Sequence, residues 1–337
     1  MQPRTNNQPE VSIIVPCYNE GETIQLLLDA LLLQSYPTAQ MEVVIADAMS
    51  EDSTRAKIAD FADTHPELKI VIVDNVARTI PAGVNAAAKA ARGIYLVRMD
   101  AHSVPDREYV AASIRLLKDG IADNVGGVWE ICPGEDTCLA RAIAAAAAHP
   151  LGAGDALYRI AKKAAYVETV PFGAFLKTTF EKVGRFDESL LSNEDYEFNT
   201  RIRLNGGKVW LDPQIHSKYF ARKNLRQLAR QYWRYGFWKY KMLKRYPDSL
   251  RWRQAIPPVF TFFIFLLALL SIFSGFARII LATGLGFYLA VLLLFSSIES
   301  IKRKNICYQL MVLPILIMHF SWGGGFLSSI LDLSKEA

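Results

Sequence analysis

Apolar and polar positions follow two different periods along the first hundred residues of the chain. Short apolar runs bounded by turn residues are typical of strands buried on both faces of a parallel sheet. Between them, apolar residues spaced three and four apart predict helices. The predicted strands are residues 11–16, 41–46, 69–73 and 94–100, and the predicted helices are residues 23–34, 53–64 and 84–91. This alternation predicts an α/β fold with a doubly wound, mostly parallel sheet.

Two of the predicted strands end in acidic residues. Asp47 follows the strand at 41–46, and the strand at 94–100 ends in Asp100, with His102 two positions later. Ligands bind beyond the carboxyl ends of parallel strands, so Asp47 and Asp100 are expected to face one crevice. Because side chains alternate along an extended segment, residues 100 and 102 are expected to point the same way and share one cation. The alternative is that Asp100 starts a solvated loop.

Two common nucleotide-binding motifs are absent from the sequence, and this excludes some classes of enzyme. There is no GxGxxG after the first strand and no GxxxxGK[ST] anywhere in the sequence. This argues against NAD-dependent enzymes and P-loop NTPases.

The C-terminal third of the chain differs from the rest in hydropathy and charge. Residues 259–276, 279–298 and 306–331 are apolar runs long enough to cross a bilayer, and the third could instead pack closely or re-enter. Before them, residues 222–245 combine nine Lys or Arg with six aromatic residues and no acid. That composition predicts an amphipathic helix on an anionic membrane, whereas a nucleic-acid-binding fold is not recognisable. Cations before the first run and after the second place the N-terminal region in the cytoplasm.

The termini and cysteines suggest a compartment. Residues 1–10 lack the apolar core of a signal peptide. The four cysteines, at positions 17, 132, 138 and 307, show no closely spaced pair. We therefore expect reduced thiols and a cytosolic setting.

Several segments in order carry a family resemblance. They are residues 11–20, Asp47 with 50–54, residues 100–102, residues 172–175 with 183–188, residues 193–195 and residues 231–235. On these segments the chain resembles the family 2 glycosyltransferases of GT-A fold, and is most similar to membrane-anchored bacterial exopolysaccharide transferases of the succinoglycan type. The resemblance implies a catalytic domain over residues 1–221, an interfacial segment over 222–256 and an anchor of two or three transmembrane helices over 257–337.

The resemblance also implies a nucleotide-sugar donor, a UDP-hexose, and the residues that bind it. The implied substrate contacts are Pro16, Tyr18, Glu20, Asp47, Arg78, Asn85, Asp100, Gly173, Ala174, Glu194, Gln231 and Arg234. For Glu20 and Asp47 the alternative is stabilisation of a helix N-terminus. For Arg234 the alternative is contact with lipid.

A divalent cation, Mn²⁺ or Mg²⁺, is implied at Asp100 and His102. The family's usual Asp-x-Asp motif ends here in histidine, and a nitrogen ligand favours Mn²⁺.

Asp195 is the expected general base. Ser192 is the predicted N-cap of a helix that runs to residue 204, which puts Asp195 in the first turn, where the helix dipole favours an ionised carboxylate. The alternative is a Ser-x-x-Asp capping pattern with no catalytic role. One base with no second carboxylate as nucleophile implies a single displacement with inversion. Tyr235 replaces the tryptophan of the family's Gln-x-x-Arg-Trp motif, which argues against processive polymerisation.

The sequence therefore predicts a multi-pass enzyme of the bacterial inner membrane with a cytoplasmic catalytic domain. The expected reaction is transfer of a hexose, glucose from UDP-glucose, to an undecaprenyl-diphosphate-linked glycan. The alternatives are a polyprenyl-phosphate sugar synthase and a non-catalytic membrane scaffold.

Overall fold

The computed structural model describes residues 8–154 and 156–332, which fall into two compact units. The sheet unit contains residues 8–130 and 161–219, and the helical unit contains residues 131–160 and 220–332. The sequence placed residues 131–160 in the catalytic domain, but the structure groups them with the C-terminal helices. The second boundary, between residues 219 and 220, lies two residues from the predicted one.

One mixed sheet organises the sheet unit, and its strands run in the order β3-β2-β1-β4-β8-β6-β9-β5, with β7 paired to β9. The strands are β1 (Val11–Cys17), β2 (Met41–Asp47), β3 (Lys69–Asp74), β4 (Tyr95–Arg98), β5 (Val104–Pro105), β6 (Asn124–Cys132), β7 (Ala165–Tyr166), β8 (Ala174–Leu176) and β9 (Val209–Phe220). The four predicted strands correspond to β1 to β4, which pair in parallel. Antiparallel pairing begins where β8 joins β4.

Helices cover the parallel half of the sheet. The helices of the sheet unit are α1 (Ile24–Leu32), α2 (Thr54–Thr64), α3 (Ile80–Ala90), α4 (Tyr109–Lys118), α8 (Lys177–Val183) and α9 (Glu194–Leu204). The predicted apolar face of α1 is fully buried at Ile24, Leu27, Leu28 and Leu31, in one core with β1 and β2. The apolar periodicity thus predicted both the elements and the faces that they bury.

Three local features differ from expectation. Helix α3 starts at Ile80 rather than 84, because Thr79 caps it and Pro81 suits its first turn. Strand β4 ends at Arg98, and Asp100–Ser103 form a turn in which the Ser103 amide donates to the Asp100 carbonyl oxygen at 3.0 Å. The extended geometry expected for residues 100–102 is therefore wrong.

The third difference concerns the start of α9. The N-cap is Asn193, with φ of 65°, and its side chain makes no capping bond. The predicted Ser192 cap is wrong, and with it the Ser-x-x-Asp capping pattern.

The helical unit contains seven α-helices within the described residues. They are α5 (Cys138–Ala148), α6 (Pro150–Ala153), α7 (Leu157–Ile160), α10 (Leu225–Arg245), α11 (Trp252–Leu270), α12 (Gly275–Lys302) and α13 (Val312–Leu331), the last preceded by a 3₁₀ helix, Ile306–Met311. Trp252–Leu270, Gly275–Lys302 and Ile306–Leu331 are long and apolar enough to cross a membrane. The first two keep only 11% of their apolar window buried within the protein, against 33% for the third.

Helices α10 and α13 pack at very short range. A Cβ on Gly236 of α10 would lie 2.0 Å from the Trp322 carbonyl oxygen, and one on Gly325 of α13 would lie 2.1 Å from the Trp233 carbonyl oxygen. Small residues at both faces are what allows this approach. The third apolar run therefore packs closely against the basic aromatic helix.

This packing revises the picture of residues 222–245. Tyr232 and Tyr235 pack in the apolar core of the helical unit rather than among head groups. Lys239 is buried, with Nζ donating to the Ser249 carbonyl oxygen at 3.1 Å, and Lys241 is paired with Asp332 at 2.9 Å. These two lysines do not face lipid.

The structure also corrects the expected thiol state. Cys138, at the start of α5, and Cys307, in the 3₁₀ helix before α13, form a disulfide, while Cys17 and Cys132 are free thiols. The expectation that all four cysteines are reduced is wrong for this pair. Residues 142–146 of α5 belong to the same apolar core as the C-terminal helices of this unit.

Candidate active site

Asp47, at the end of β2, is fully buried and shapes the loop that follows it. One carboxylate oxygen accepts from the Ser50 hydroxyl at 2.5 Å, and the other accepts from the Ser50 amide at 3.0 Å and from Arg55 Nε at 2.5 Å. Burial by itself raises the pKa of Asp47, but the bonds from Ser50 and Arg55 outweigh it and hold the pKa below its ordinary value. Asp47 therefore stays ionised and fixes the loop beside the predicted crevice.

Glu20 and His102 come together from two different loops. Glu20 follows β1, and its Oε1 lies 2.9 Å from Nδ1 of His102, while its other oxygen accepts from the Thr23 hydroxyl. A carboxylate on one ring nitrogen is the usual arrangement for a histidine that binds a metal through the other. The structure thus connects a predicted donor-binding residue with a predicted metal ligand.

A single buried arginine in the sheet unit contacts three carboxylates. Arg98, at the end of β4, is 2% exposed. Its Nη2 lies 3.2 Å from Asp100 Oδ1 and 3.1 Å from Glu194 Oε1, and its Nη1 pairs with Asp195 Oδ1. We call these four residues the Arg98 cluster. Because one guanidinium faces three acids, the cluster has an excess of negative charge.

Aromatic rings enclose the guanidinium. It lies over the ring of Phe172 at 5.7 Å and over the ring of Phe186 at 5.9 Å. These contacts exclude water from its faces and strengthen its electrostatic interactions. Arg98 is consequently held more firmly than a surface arginine would be.

The carboxyl group of Asp195 is the most perturbed acid of the cluster. Burial raises its pKa from 3.8 to about 7, with Glu194 and Asp100 acting in the same direction and Arg98 opposing them. A carboxylate with a pKa near neutrality accepts a proton far better than an ordinary surface aspartate. Asp195 therefore has the properties that a general base needs.

A strained turn directs a second donor at Asp195. Phe172 has a φ of 62° and Gly173 a φ of 88°. A bulky residue in the left-handed region costs about 1–3 kcal/mol, and here it lets the Phe172 amide donate to Asp195 Oδ2 at 3.2 Å. Gly173 also accepts from the Arg98 amide at 2.9 Å, and a Cβ there would lie 2.4 Å from Asn124 Oδ1. Both Asp195 oxygens are thus held, one by a side chain and one by the backbone.

Some predicted contacts have structural partners instead. Asn85 donates to the Phe186 carbonyl oxygen at 2.9 Å and to Glu188 at 2.8 Å, and it accepts from the Phe186 amide at 3.0 Å. Its amide therefore fastens α3 to the loop after α8 rather than pointing into an open crevice. Ala174 is buried in β8.

Other predicted residues lie at the surface of the sheet unit. Tyr18 is 47% exposed, and Arg78, with a φ of 54°, lies 3.6 Å from Glu51. Pro16, at the end of β1, is half-buried and lies beside Gly83, the glycine that opens the second turn of α3. These residues are placed where a ligand could reach them.

Gln231 and Arg234 belong to the helical unit, on α10. Gln231 donates to the Tyr235 hydroxyl at 2.9 Å, and Arg234 is exposed. Tyr235, which replaces the family's tryptophan, therefore contacts the glutamine of its own motif. Their contact with a donor remains a prediction.

The donor atoms present suit a divalent cation. Asp100 offers carboxylate oxygen and His102 offers imidazole nitrogen, a mixed set that Mn²⁺ accepts more readily than Mg²⁺. The excess negative charge of the Arg98 cluster is complementary to such an ion. Among the described residues no group of three or more His, Cys, Asp or Glu is arranged to hold a metal. Donor phosphates and water would therefore have to complete the coordination.

Sequence reasoning missed Arg98, Phe172 and Arg55. Arg98 had a usable signal, because it is the only charged residue in the apolar run 94–99, and an arginine in a buried strand needs partners. The roles of Phe172 and Arg55 depend on backbone conformation and on contacts across loops, which the sequence does not display.

Comparison with known proteins agrees with this geometry. Residues 12–184, just over half of the chain, match the Glycosyl transferase family 2 profile. The chain belongs to this family, and it is a glycosyltransferase.

Individual relatives span nearly the whole chain. It is 28% identical over 328 residues to the succinoglycan biosynthesis protein ExoA of Rhizobium meliloti, covering 96% of each chain. It is also 28% identical to the dolichyl N-acetyl-alpha-D-glucosaminyl phosphate 3-beta-D-2,3-diacetamido-2,3-dideoxy-beta-D-glucuronosyltransferase of Methanococcus voltae, covering 92% of this chain and 93% of the other. Among solved structures, the mannosyltransferase PcManGT of Pyrobaculum calidifontis, in complex with GDP-Man and Mn²⁺, has a TM-score of 0.65 at 20% identity, covering 97% of this chain and 88% of that one. The predicted GT-A fold is confirmed.

Proposed function

We propose that this glycosyltransferase moves a hexose from a UDP-sugar, UDP-glucose being the first candidate, onto a sugar hydroxyl of a lipid-linked glycan, with inversion at the anomeric carbon. The observation that carries the proposal is Asp195, a partly buried carboxylate with a pKa raised to about 7 and with both oxygens oriented. No second carboxylate is assigned as a nucleophile, so a single displacement is the simplest reaction that the site supports.

The residues of the sheet unit divide the work of the reaction. Tyr18 and the loop that Asp47 organises would hold the nucleoside, and Glu20 would orient His102. Asp195 would take the proton from the acceptor hydroxyl as the oxygen attacks the anomeric carbon. A cation held by Asp100 and His102 would neutralise charge on the departing diphosphate. Gln231 and Arg234 are proposed as further diphosphate contacts.

A sugar hydroxyl is favoured over a lipid phosphate as the acceptor. A phosphate is already ionised at neutral pH and needs no base, whereas Asp195 has the pKa and the fixed orientation of one. The Methanococcus voltae relative, similar over nearly the whole chain, is named for transfer to a sugar that is carried on dolichyl phosphate. A dead scaffold is disfavoured because the strained turn at Phe172 and the raised pKa of Asp195 would serve no purpose there.

The function can be tested with the purified protein in detergent. UDP-glucose, UDP-galactose, UDP-N-acetylglucosamine and GDP-mannose are each offered with Mn²⁺ and extracted lipid-linked glycans, and sugar transfer is measured by mass spectrometry of the lipid fraction. We expect transfer from UDP-glucose, and a product released intact by mild acid, as a sugar carried on a lipid diphosphate is. Transfer to polyprenyl phosphate alone would favour the sugar synthase, and donor binding without transfer or hydrolysis would favour the scaffold.

We further propose that the sheet unit faces the bacterial cytoplasm, with α11 and α12 crossing the inner membrane as a hairpin. Arg251 and Arg253 lie at the start of α11 and three cations, residues 302–304, lie at the end of α12, while Arg278 alone lies near the short turn between the two helices. A cysteine at Phe273, in that turn, should react with a membrane-impermeant maleimide in intact spheroplasts. A cysteine at Lys302 should react only after permeabilisation. The reverse pattern would invert the orientation.

A further inference from the structure

The Arg98 cluster joins two parts of the proposed mechanism that are far apart in the sequence. Arg98 is the last residue of β4, and Asp100 begins the turn that bears the predicted metal ligands. Glu194 and Asp195 lie in the first turn of α9. Within the described residues, the guanidinium of Arg98 is the group that contacts acids from both segments. Without that cation, three partly buried acids would be held near one another with no positive charge between them.

We propose that Arg98 is a positioning residue for the base, holding Asp195 oriented and negatively charged beside the turn at 100–103. This inference rests on the proposed function, because it assumes that Asp195 accepts the acceptor proton. Arg98 itself is 2% exposed and is covered by Phe172 and Phe186, so it touches neither acceptor nor donor. Its effect must pass through the carboxylates that it holds.

The shape of arginine matters here as well as its charge. A planar guanidinium presents several N–H groups in fixed directions, so Nη1 can engage Asp195 while Nη2 engages Asp100 and Glu194. A lysine at position 98 would keep the positive charge but provide only one compact donor centre. It could not hold all three acids in the same geometry.

The test compares Arg98→Lys with a matched arginine on the same helix as the base. Arg201 on α9 pairs with Glu197 and donates to the carbonyl oxygens of Val183, Gly184 and Arg185. It is a multiply bonded arginine outside the proposed machinery, so Arg201→Lys reports what loss of a structural arginine does. The measurements are kcat, donor KM, the Mn²⁺ concentration for half-maximal activity, and the melting temperature.

We expect Arg98→Lys to lower kcat by about 10- to 100-fold, the usual cost of misplacing a catalytic group by about an ångström. Asp100 and Glu194 are held by the same guanidinium, so kcat is measured at saturating Mn²⁺ and donor, where it reports on the base rather than on metal or donor affinity. Arg201→Lys should lower the melting temperature and leave kcat unchanged. An Arg98→Lys enzyme with wild-type kcat would overturn the proposal.

A double-mutant cycle separates this inference from the proposed function. If Arg98 acts through Asp195, then Arg98→Lys should have no further effect on kcat in an Asp195→Asn background. An equal loss in both backgrounds would overturn the role of Arg98 and leave the base in place. A fully active Asp195→Asn single variant would instead remove the base, and this inference with it.

A second variant covers the case in which Arg98→Lys does not fold. Phe172→Leu removes the ring that covers the guanidinium and keeps the backbone amide that donates to Asp195. We expect kcat to fall several-fold with donor KM unchanged, and a Phe172→Leu enzyme with unaltered kcat would count against the proposal.

Discussion

Replacement of Asp195 by asparagine is expected to lower the turnover rate of the enzyme and to raise the stability of the folded protein. Loss of a positioned base lowers turnover by roughly 10²- to 10⁴-fold. At 1.36 kcal/mol for each factor of ten, this is about 3–5 kcal/mol of transition-state stabilisation. Donor binding should be nearly unaffected, because the Asp195 carboxylate contacts Arg98 and the Phe172 amide rather than the predicted donor-binding residues.

The same substitution should make the protein more stable at neutral pH. The pKa of Asp195 is about 7 in the folded protein and near 3.8 in the unfolded chain, so the folded state resists ionisation. Each pKa unit is worth 1.36 kcal/mol, which gives a penalty of up to about 4 kcal/mol once Asp195 is ionised. Asparagine is neutral and carries no such penalty, and Arg98 keeps Asp100 and Glu194 as partners.

The stability gained by Asp195→Asn depends on pH because the pKa of Asp195 is higher in the folded protein than in the unfolded chain. Below about pH 4 the acid is protonated in both states and contributes nothing. Between about pH 4 and pH 7 the unfolded chain releases its proton before the folded protein does, so the advantage of Asp195→Asn grows with pH, and above about pH 7 it is constant. For the wild type, kcat/KM should fall on the acidic side of about pH 7, where the base becomes protonated.

Thermal unfolding of the wild type and of Asp195→Asn is measured in detergent with EDTA at pH 5, 6, 7 and 8. Turnover of both proteins is measured at the same pH values with Mn²⁺. We expect the melting temperature of Asp195→Asn to exceed that of the wild type by a few degrees at pH 8 and by less at pH 5. A lower melting temperature with a small rate loss would mean that Asp195 serves the helix rather than the reaction. A stable and fully active variant would refute the argument.

Three further predictions test other parts of the structure. Asp100→Ala should abolish sugar transfer, while His102→Asp should stay active and shift the preference from Mn²⁺ toward Mg²⁺; full wild-type activity in EDTA would remove the metal from the reaction. Denatured protein should react with two equivalents of a thiol reagent before reduction and four after it, since one pair of cysteines is bridged; four before reduction would contradict the disulfide. Gly236→Val should lower the melting temperature strongly because its side chain would meet the Trp322 carbonyl, whereas Gly284→Val, with open space around it, should not; equal melting temperatures would disprove the close packing of α10 on α13.

Local sequence patterns were sufficient to predict the main secondary-structure elements and the family. The apolar runs at β1, β2 and β4 and the helical spacing of α1 are properties of short windows, and burial of these elements follows from the pattern, whereas the edge strand β3 is largely exposed. The three long apolar helices follow from length and composition in the same way. Asp195 was also predicted as the base from sequence, because its position after Glu194 belongs to an ordered set of motifs.

Contacts between distant segments were decided only by the tertiary structure. Sequence places Asp100 and His102 in one motif, yet a turn gives them different partners, Arg98 and Glu20. Asn85 resembles a donor ligand in sequence, but the loop at 186–188 occupies its amide. Such outcomes depend on which loops the sheet order brings together, and no window of neighbouring residues contains that information.

The electrostatic properties of the site show most clearly what the sequence determines and what only the folded structure determines. The sequence supplied an acid at position 195 and an arginine at position 98, separated by almost a hundred residues. Antiparallel pairing of β8 with β4 brings the Phe172–Gly173 turn beside the end of β4, and the first turn of α9 adds two acids to the same buried space. Charge is set by residue type, but the pKa of a carboxyl group is set by burial and by its neighbours, and both exist only once the chain has folded.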